Sequence, residues 1–263
     1  MAASAEAVRL DLSKGLAILT LDRPDTLNAM SQEMMSALDR QVDALSQVPD
    51  LRAVIITGAG RGFCAGGDLL EFETALTAGQ DRLLDYLRRN AMILQRIEDL
   101  PVPVIGAVNG VAIAGGLELL LCCDVLIAAE GAQIGDGHAC YGVVPAAGST
   151  VRLPERIAPS RAAQLFYTGA TQSAETLRDW GLVNEVVPAD RLMDRAQDLA
   201  AEIMACSPEV TRHLKALTGP EARDRRRQQR MEAEHQHFAR HVEGHDLGRG
   251  LAAFREKRRP DFG

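Results

Sequence analysis

The chain has 263 residues, of which 46% are hydrophobic, 25% charged and 4% aromatic. This is ordinary globular composition, and it excludes a disordered chain, a collagen and a disulfide scaffold. A chain of this length buries roughly three quarters of the surface that it exposes when unfolded, so it needs no disulfide bonds or structural metal ions to fold. The length is typical of an enzyme.

The net charge of −7 disfavours nonspecific binding to nucleic acid or to an anionic membrane surface. From Ser207 onward the chain carries 13 Lys or Arg against 9 Asp or Glu, whereas the first 206 residues carry 16 against 27. The basic C-terminal part therefore meets phosphates or an acidic partner, or it is a solvated helix face.

Five cysteines, an odd number, form no CxxC pair, which is typical of reduced thiols and predicts a cytoplasmic protein. Met1–Arg9 lacks the pattern of a signal peptide. The stretch Val102–Ala129 is nearly all apolar, but Glu118, Asp124 and several glycines and prolines interrupt it. It predicts a buried core segment rather than a membrane span.

The first half of the chain alternates strands and helices. Val8–Leu12 and Leu16–Leu21 predict a hairpin, and Ser31 is a good N-cap for an amphipathic helix that runs to about Gln47. Further predicted elements are buried strands over Ala53–Thr57, Val104–Val108 and Val125–Ala129, a helical stretch from Leu69, and a helix over Gly115–Cys123.

Continuous Val, Ile and Leu in these strands indicate parallel strands covered by helices, so the predicted fold class is α/β. From about Arg161 the pattern is helical. The predicted helices are Ala162–Phe166, Ser173–Trp180, Ala189–Cys206, Pro208–Leu217 and Glu221–Val242. We expect residues 1–206 to form the core and residues 207–263 to form a C-terminal helical region.

Glycine-rich turns are the first candidates for chemistry. The cluster Gly58–Gly62 is GxGxG rather than GxGxxG and follows the third predicted strand, which argues against a dinucleotide site. The turns Cys64–Asp68 and Ile113–Glu118 precede helices, whose first N–H groups are preorganised donors for developing negative charge. Alternatively, both are merely tight strand-to-helix turns.

Two ionisable residues are candidates for acid–base catalysis. Glu118 falls in the first turn of an otherwise apolar helix, where a carboxylate either stabilises the helix dipole or, if buried, acts as a general base. His138 follows in the segment Gly135–Gly142 and is either a second acid–base group or an ordinary loop histidine.

Several motifs occur in order along the chain. They are Leu21-Asp22-Arg23-Pro24 with Leu27-Asn28-Ala29, Phe63-Cys64-Ala65-Gly66-Gly67-Asp68, Asn109-Gly110 through Ala114-Gly115-Gly116-Leu117-Glu118-Leu119, Gly142-Val143-Val144-Pro145 with Arg152-Leu153, Gly181-Leu182-Val183-Asn184-Glu185-Val186-Val187, Ser207-Pro208, and Ala253-Phe254-Arg255-Glu256-Lys257-Arg258. Together they resemble the crotonase (enoyl-CoA hydratase/isomerase) superfamily from about Val8 to Arg259.

This resemblance implies a spiral of ββα units with a C-terminal helical extension, assembled as a homotrimer or a dimer of trimers. It also implies that the substrate is an acyl-CoA thioester, with no metal, no redox cofactor, no nucleic acid and no membrane partner. By position, the N–H groups of Gly67 and Gly115 form an oxyanion hole for the thioester enolate. The residues implied in binding coenzyme A or substrate are Arg23, Leu27, Ala29, Ala65, Asp68 and Leu69, with Phe254 and Lys257 reaching a neighbouring subunit's coenzyme A.

The chain departs from the resemblance at His138. Hydratases of the family use two glutamates, the first matching Glu118 and the second falling at His138. Hydration or isomerisation of an unsaturated acyl-CoA is the leading interpretation. The alternatives are a lyase, decarboxylase or hydrolase on the same scaffold, and a non-catalytic acyl-CoA-binding protein. The stretch Ala146–Ser149 carries no carboxylate of the kind that some relatives use for hydrolysis, dehalogenation or ring closure.

An apolar stripe within Glu71–Met92 is a candidate lining for the acyl group, together with the C-terminal helices. Helical spacing by itself is more often typical of plain core. The members of the stripe are Phe72, Leu76, Leu83, Leu84, Tyr86 and Leu87.

Overall fold

The structure, a computed structural model, describes residues 6–218, 224–258 and 260. Its strands form one six-stranded and one four-stranded sheet. The strands are β1 Val8–Ser13, β2 Leu16–Leu21, β3 Ala53–Gly58, β4 Gly62–Cys64, β5 Val104–Val108, β6 Val111–Ile113, β7 Val125–Ala129, β8 Gln133–Gly135, β9 Thr171–Ser173 and β10 Glu185–Val187.

Helices cover these sheets. They are α1 Gln32–Ser46, α2 Leu69–Thr77, α3 Gln80–Glu98, α4 Gly115–Leu121, α5 Ser149–Arg156, α6 Pro159–Thr168, α7 Ala174–Asp179, α8 Leu192–Met204, α9 Pro208–Thr218, α10 Asp224–Val242 and α11 Asp246–Arg255. Short 3-10 helices lie at Pro24–Thr26, His138–Tyr141 and Ala189–Arg191. The described helices include none that is both long enough and apolar enough to cross a membrane.

The six-stranded sheet has the order β1-β2-β3-β5-β7-β10. The predicted hairpin is confirmed, since β1 and β2 pair antiparallel, and the remaining strands pair parallel. Along β3, Val54 and Ile56 enter the main core, whereas Ala53 and Ile55 pack in a second core with α8. Because both faces are covered, the strand is apolar without alternation.

The four-stranded sheet has the order β4-β6-β8-β9 and was not predicted. Its strands have three residues each, and β4 and β6 lie within segments that the glycine pattern predicts to be turns. Such short strands carry too few residues for a periodic signal. The strands β4, β6 and β8 are parallel, so their carboxyl ends lie at one edge.

Helix prediction was accurate where a cap marks the start. Ser31 caps α1 as predicted, because its hydroxyl accepts a hydrogen bond from the N–H of Met34 at 3.1 Å. The helix α5 was not predicted, and α11 was predicted only as part of the C-terminal helical region, without bounds of its own. A glycine N-cap at Gly148 and the internal Pro154 hide the signal of α5. The predicted start of the penultimate helix, Glu221, lies outside the described residues.

The C-terminal helices fold back over the core. Helix α10 packs against α3 and α5, and α11 packs against the 3-10 helix His138–Tyr141. A third apolar cluster forms between these helices and α2 and α3, with Phe72, Leu83 and Phe238 buried in it. The boundary predicted between 1–206 and 207–263 stays a prediction.

One buried amide holds the loop between β2 and α1. Asn28 is fully buried, and its Nδ2 lies within 3.1 Å of the carbonyl oxygens of Ala59, Gly62 and Phe63. Its Oδ1 accepts a hydrogen bond from the N–H of Arg23 at 2.8 Å. The amide therefore ties this loop to the segment between β3 and β4.

We expect Asn28→Gly to lower the free energy of unfolding by about 2–4 kcal/mol, because buried carbonyls lose their donor. Glycine keeps the left-handed backbone of Asn28 (φ 57°) without strain. Lys14→Gly is the matched control, since Lys14 is exposed and also left-handed (φ 49°), and we expect it to change stability by roughly 0.5 kcal/mol or less. Urea unfolding measures both; equal effects would contradict the assignment.

Candidate active site

Three loops meet at one edge of the four-stranded sheet. The parallel strands β4, β6 and β8 end there, and ligands of open α/β sheets bind at such carboxyl ends. The loop after β4 carries Gly67, the turn after β6 carries Gly115 and leads to Glu118, and the loop after β8 carries His138. The unpredicted sheet thus brings together the four residues predicted for catalysis.

The two glycine turns are in backbone contact. A Cβ atom on Gly66, whose φ is +91°, would lie 2.8 Å from the carbonyl oxygen of Ile113, so only glycine fits there. A Cβ atom on Gly115 would lie 3.4 Å from the amide nitrogen of Gly67. The amides of Gly67 and Gly115 are therefore close neighbours.

Both amides have an N–H available for a ligand. Gly115 is the first residue of α4, where an N–H has no acceptor within the helix. Among residues 6–218 and 224–258, neither Gly67 nor Gly115 donates a backbone hydrogen bond. The preceding Ala114 has φ 52° and ψ −117°, a strained conformation held by its N–H bond to the Gly135 carbonyl at 3.1 Å. Both donors are thus fixed in advance.

Glu118 is buried, with 3% of its surface exposed. Its Oε1 accepts hydrogen bonds from the N–H groups of Ala147 at 2.8 Å and Ser149 at 3.2 Å. Its Oε2 lies 4.0 Å from Nε2 of His138. One carboxyl oxygen is therefore fixed by the backbone, and the other faces the imidazole.

The surroundings of Glu118 raise the pKa of its carboxyl to near neutral pH. Burial raises the pKa of Glu118, the charge of His138 lowers it, and the charge of Glu234 on α10 raises it again, to about 7. A group with a pKa near the working pH is suited to general acid–base catalysis.

His138 is oriented by a buried carboxylate. Its Nδ1 lies 3.1 Å from Oδ2 of Asp136, which also accepts a hydrogen bond from the Ser149 hydroxyl at 3.1 Å. Because a carboxylate only accepts, Nδ1 carries a proton and Nε2 is turned toward Glu118. Burial lowers the pKa of His138, but the charge and hydrogen bond of Asp136, with Glu118, raise it to about 9.

Comparison with known proteins shows the family to which the chain belongs. The family model for enoyl-CoA hydratase/isomerase matches residues 11–263. The chain belongs to this family, the crotonase superfamily. A crotonyl-CoA hydratase of Syntrophomonas wolfei is 33% identical over 258 residues, and a 1,2-epoxyphenylacetyl-CoA isomerase of Escherichia coli is 34% identical over 260 residues. Each alignment covers 98% of both chains.

The crotonase fold is also found by structure. The crystal structure of an enoyl-CoA hydratase/isomerase from Pseudoalteromonas atlantica superposes with a TM-score of 0.86 at 29% identity. It covers 98% of this chain and 100% of that one. The predicted crotonase-like α/β fold is therefore confirmed.

Residues predicted from the crotonase resemblance to bind coenzyme A gather near Gly67. The N–H of Ala65 donates to the carbonyl oxygen of Leu27 at 2.9 Å. The guanidinium of Arg23 donates to the carbonyl oxygen of Ala29 at 3.3 Å and lies 3.8 Å from Oδ2 of Asp68. The loop before α1 and the loop after β4 thus form one surface.

Asp68 and Leu69 also have structural roles. The Asp68 carboxylate caps α2 by accepting from the N–H groups of Leu70 at 3.2 Å and Glu71 at 3.4 Å. Leu69, the first residue of α2, packs against the third apolar cluster. Contacts of these residues with coenzyme A stay predictions.

Of the two predicted C-terminal contacts, Phe254 lies against the 3-10 helix that carries His138. The ring of Phe254 meets that of Tyr141 edge to face, with centroids 6.1 Å apart. Lys257 is exposed and has a left-handed backbone (φ 52°). Their contact with a neighbouring subunit's coenzyme A stays a prediction.

The apolar stripe of α2 and α3 forms a cluster of its own. It joins α10, α11 and the segment Val143–Ala146, which follows the His138 loop. The members from α2 and α3 include all six predicted residues, Phe72, Leu76, Leu83, Leu84, Tyr86 and Leu87. The cluster therefore adjoins the loop that carries His138, as a lining for an acyl group must.

Sequence reasoning missed three residues that support the site. Asp136 could have been identified from the sequence, because it lies two residues before His138. Arg152, which is buried and paired with Glu98 at 2.8 Å, donates to the carbonyl oxygen of Ala147 at 2.6 Å, but in the sequence it was only part of a motif. Glu234 had no signal, because a distant helix supplies it.

Glu234 brings a carboxylate to a stretch that has none in its own sequence. The stretch Ala146–Ser149 carries no carboxylate in its own sequence, but Glu234 of α10 reaches it and accepts the N–H of Gly148 at 2.6 Å. The folded chain therefore has a buried carboxylate at this stretch, delivered by the C-terminal helix.

We expect Asp136→Asn to lower the pKa of His138 from about 9, because burial lowers this pKa and the charge and hydrogen bond of Asp136 oppose the effect of burial. In the native protein, the raised pKa contributes stability that is complete below pH 6.5 and lost as the pH rises through 9. NMR titration of the imidazole measures the midpoint, and Asp81→Asn, on an exposed residue of α3, is the control. An unchanged midpoint in Asp136→Asn would refute the pairing.

Proposed function

We propose that the protein hydrates, or isomerises, an unsaturated acyl-CoA by stabilising a thioester enolate. The observation that carries this proposal is the 4.0 Å separation of Glu118 Oε2 and His138 Nε2. Beside this pair lie the N–H groups of Gly67 and Gly115, which donate no backbone hydrogen bond within the described part of the chain. An acid–base pair next to two fixed donors suits a reaction that moves protons at carbon while charge collects on a nearby oxygen.

In this proposal the two N–H groups form the oxyanion hole. A thioester enolate puts most of its charge on one oxygen, and both N–H groups donate to that oxygen. Removing one such donor typically costs about 3–4 kcal/mol of transition-state stabilisation. The reaction therefore needs neither a metal nor a redox cofactor, and coenzyme A enters as part of the substrate.

Hydration is the leading reaction. Two polar atoms 4.0 Å apart can be bridged by one water molecule. The carboxylate of Glu118 takes one proton from this water, the resulting hydroxyl bonds to Cβ, and the imidazolium of His138 delivers its proton to Cα. Transfer of the acquired proton from Glu118 to His138 restores both groups.

These steps require ionised Glu118 together with protonated His138. Pairing a Glu118 pKa of about 7 with a His138 pKa of about 9 makes this combination available between those values. A glutamate at position 138 would supply the same single proton as a neutral acid. The histidine thus changes the charge of the pair but keeps its proton count.

Isomerisation uses the same groups without water. Glu118 removes a proton from Cα of a 3-enoyl thioester and then returns that proton to Cγ of the dienolate, which moves the double bond and restores the carboxylate. The related proteins named as a hydratase and an isomerase are almost equally similar to this chain, so both reactions belong to the proposal.

The substrate's two ends have separate sites in this proposal. The surface around Arg23, Ala65 and Asp68 takes the coenzyme A moiety, and the third apolar cluster takes the acyl group. Phe254 and Lys257 contact the coenzyme A of a neighbouring subunit in a homotrimer or a dimer of trimers. The basic C-terminal part then faces phosphates, which gives its positive charge a partner.

We expect Glu118→Gln to lower kcat by about 10² to 10⁴ on a 2-enoyl-CoA, because glutamine cannot take the proton. Glu130→Gln, on an exposed residue after β7, is the matched control and keeps wild-type turnover. Mass spectrometry in H₂¹⁸O follows the product. A labelled 3-hydroxyacyl product from the wild type indicates hydration, and a 2-enoyl product from a 3-enoyl-CoA indicates isomerisation. Unchanged turnover in Glu118→Gln would refute the proposal.

Gly115→Ala tests the oxyanion hole. The added Cβ would lie 3.0 Å from Sδ of Met30 and 3.4 Å from the amide nitrogen of Gly67, and so would crowd the space between the two donors. We expect kcat to fall by roughly 10² to 10³. Gly248→Ala, whose Cβ meets no atom within 4 Å, is the control. Equal activity of the two variants, measured on the same ester, would contradict the role of Gly115.

A further inference from the structure

A second buried carboxylate lies at the loop on which Glu118 rests. Glu234 of α10 is 5% exposed. Its Oε1 accepts the N–H of Gly148 at 2.6 Å, and its Oε2 accepts the N–H of Thr150 at 3.1 Å and also the Thr150 hydroxyl. A negatively charged side chain from the C-terminal region thus binds the start of α5.

The two glutamates share this turn in an alternating pattern. Glu118 takes the N–H groups of residues 147 and 149, and Glu234 takes those of residues 148 and 150. These are N–H groups at a helix start, which otherwise have no acceptor within the helix. A shift of this turn therefore moves the donors of both carboxylates together.

Helix α10 holds the same loop at two further points. Nε2 of His235 donates to the carbonyl oxygen of Ala146 at 2.6 Å, and Nε2 of His241 donates to that of Gly142. Both imidazoles must carry a proton at Nε2, because a carbonyl oxygen only accepts. Hydrogen bonds thus connect helix α10 to the segment from Gly142 to Thr150 along its whole length.

We propose that Glu234 is a positioning residue for Glu118: it fixes the turn that holds Oε1 of Glu118, and it places a second negative charge beside that carboxyl. The inference rests on the proposed role of Glu118 as the base. Glu234 touches neither substrate nor reacting atoms in this scheme.

Charged groups face Glu118 from three directions. His138 and Asp136 lie on the loop after β8, Arg152 lies on α5, and Glu234 lies on α10. His138 favours the ionised form of Glu118, whereas burial, Glu234 and Asp136 disfavour it. Removing the charge of Glu234 therefore lowers the pKa of Glu118.

The test compares Glu234→Gln with Glu232→Gln, a matched change on the same helix at an exposed residue. For Glu234→Gln we expect kcat to fall by about 10-fold to 100-fold, with KM within roughly twofold, because the base is displaced while the coenzyme A surface is unchanged. The acidic limb of the pH–rate profile shifts down by roughly one pH unit. Glu232→Gln changes neither quantity.

A titration that does not depend on turnover separates this inference from the proposed function. The carboxyl of Glu118 is followed by ¹³C NMR in protein labelled at the glutamate side chains, and its signal is assigned by its loss in Glu118→Gln. We expect a lower midpoint in Glu234→Gln than in the wild type and Glu232→Gln. An unchanged midpoint overturns the inference, whatever the activity. Full turnover in Glu118→Gln overturns the proposed function and leaves the titration result standing.

Glu234→Asp serves if Glu234→Gln does not fold. It keeps the charge but shortens the reach to Gly148 and Thr150. We expect a lower kcat with an unchanged KM, and a Glu118 midpoint close to that of the wild type. A wild-type kcat in Glu234→Asp would overturn the positioning role.

Discussion

The backbone contact between the two glycine turns is the constraint on which the rest of the site depends. It brings the amide of Gly67 within van der Waals reach of Gly115, a contact that side chains at Gly66 or Gly115 would disturb. The contact also fixes the start of α4, and with it the position of Glu118 one turn further along. The same backbone contact thus positions the two N–H donors and the carboxyl of Glu118.

Burying several charges at this point is costly unless each has partners. The structure meets that requirement with backbone N–H groups for Glu118 and Glu234 and with His138 and Ser149 for Asp136. The distance of 4.0 Å from Glu118 Oε2 to His138 Nε2 is too long for a direct hydrogen bond. The two groups that the proposed reaction uses are therefore not hydrogen-bonded to each other, whereas the contacts that support them are hydrogen bonds.

The C-terminal helices have two relations to the site. Helix α10 binds the loop between His138 and α5 through Glu234, His235 and His241. Helix α11 lies against Tyr141, at the end of the same loop. The C-terminal part of the chain therefore fixes a loop of the candidate site.

The sequence by itself determined the α/β class, the strands of the large sheet other than β10, and the pairing of Glu118 with two glycine turns. These features are visible in short continuous stretches of sequence: the apolar strands, the cap at Ser31 and the ordered motifs. They can therefore be predicted without knowledge of the tertiary structure. The four-stranded sheet and the approach of Glu234 were decided only by the tertiary structure, whereas the contact of Asp136 with His138 is local in the sequence. Three-residue strands have no period, and the partners of Glu118 come from segments far apart in the chain. A hydrogen bond between distant segments cannot be predicted from a local sequence pattern, because each of its two polar residues, taken alone, is also compatible with an exposed position.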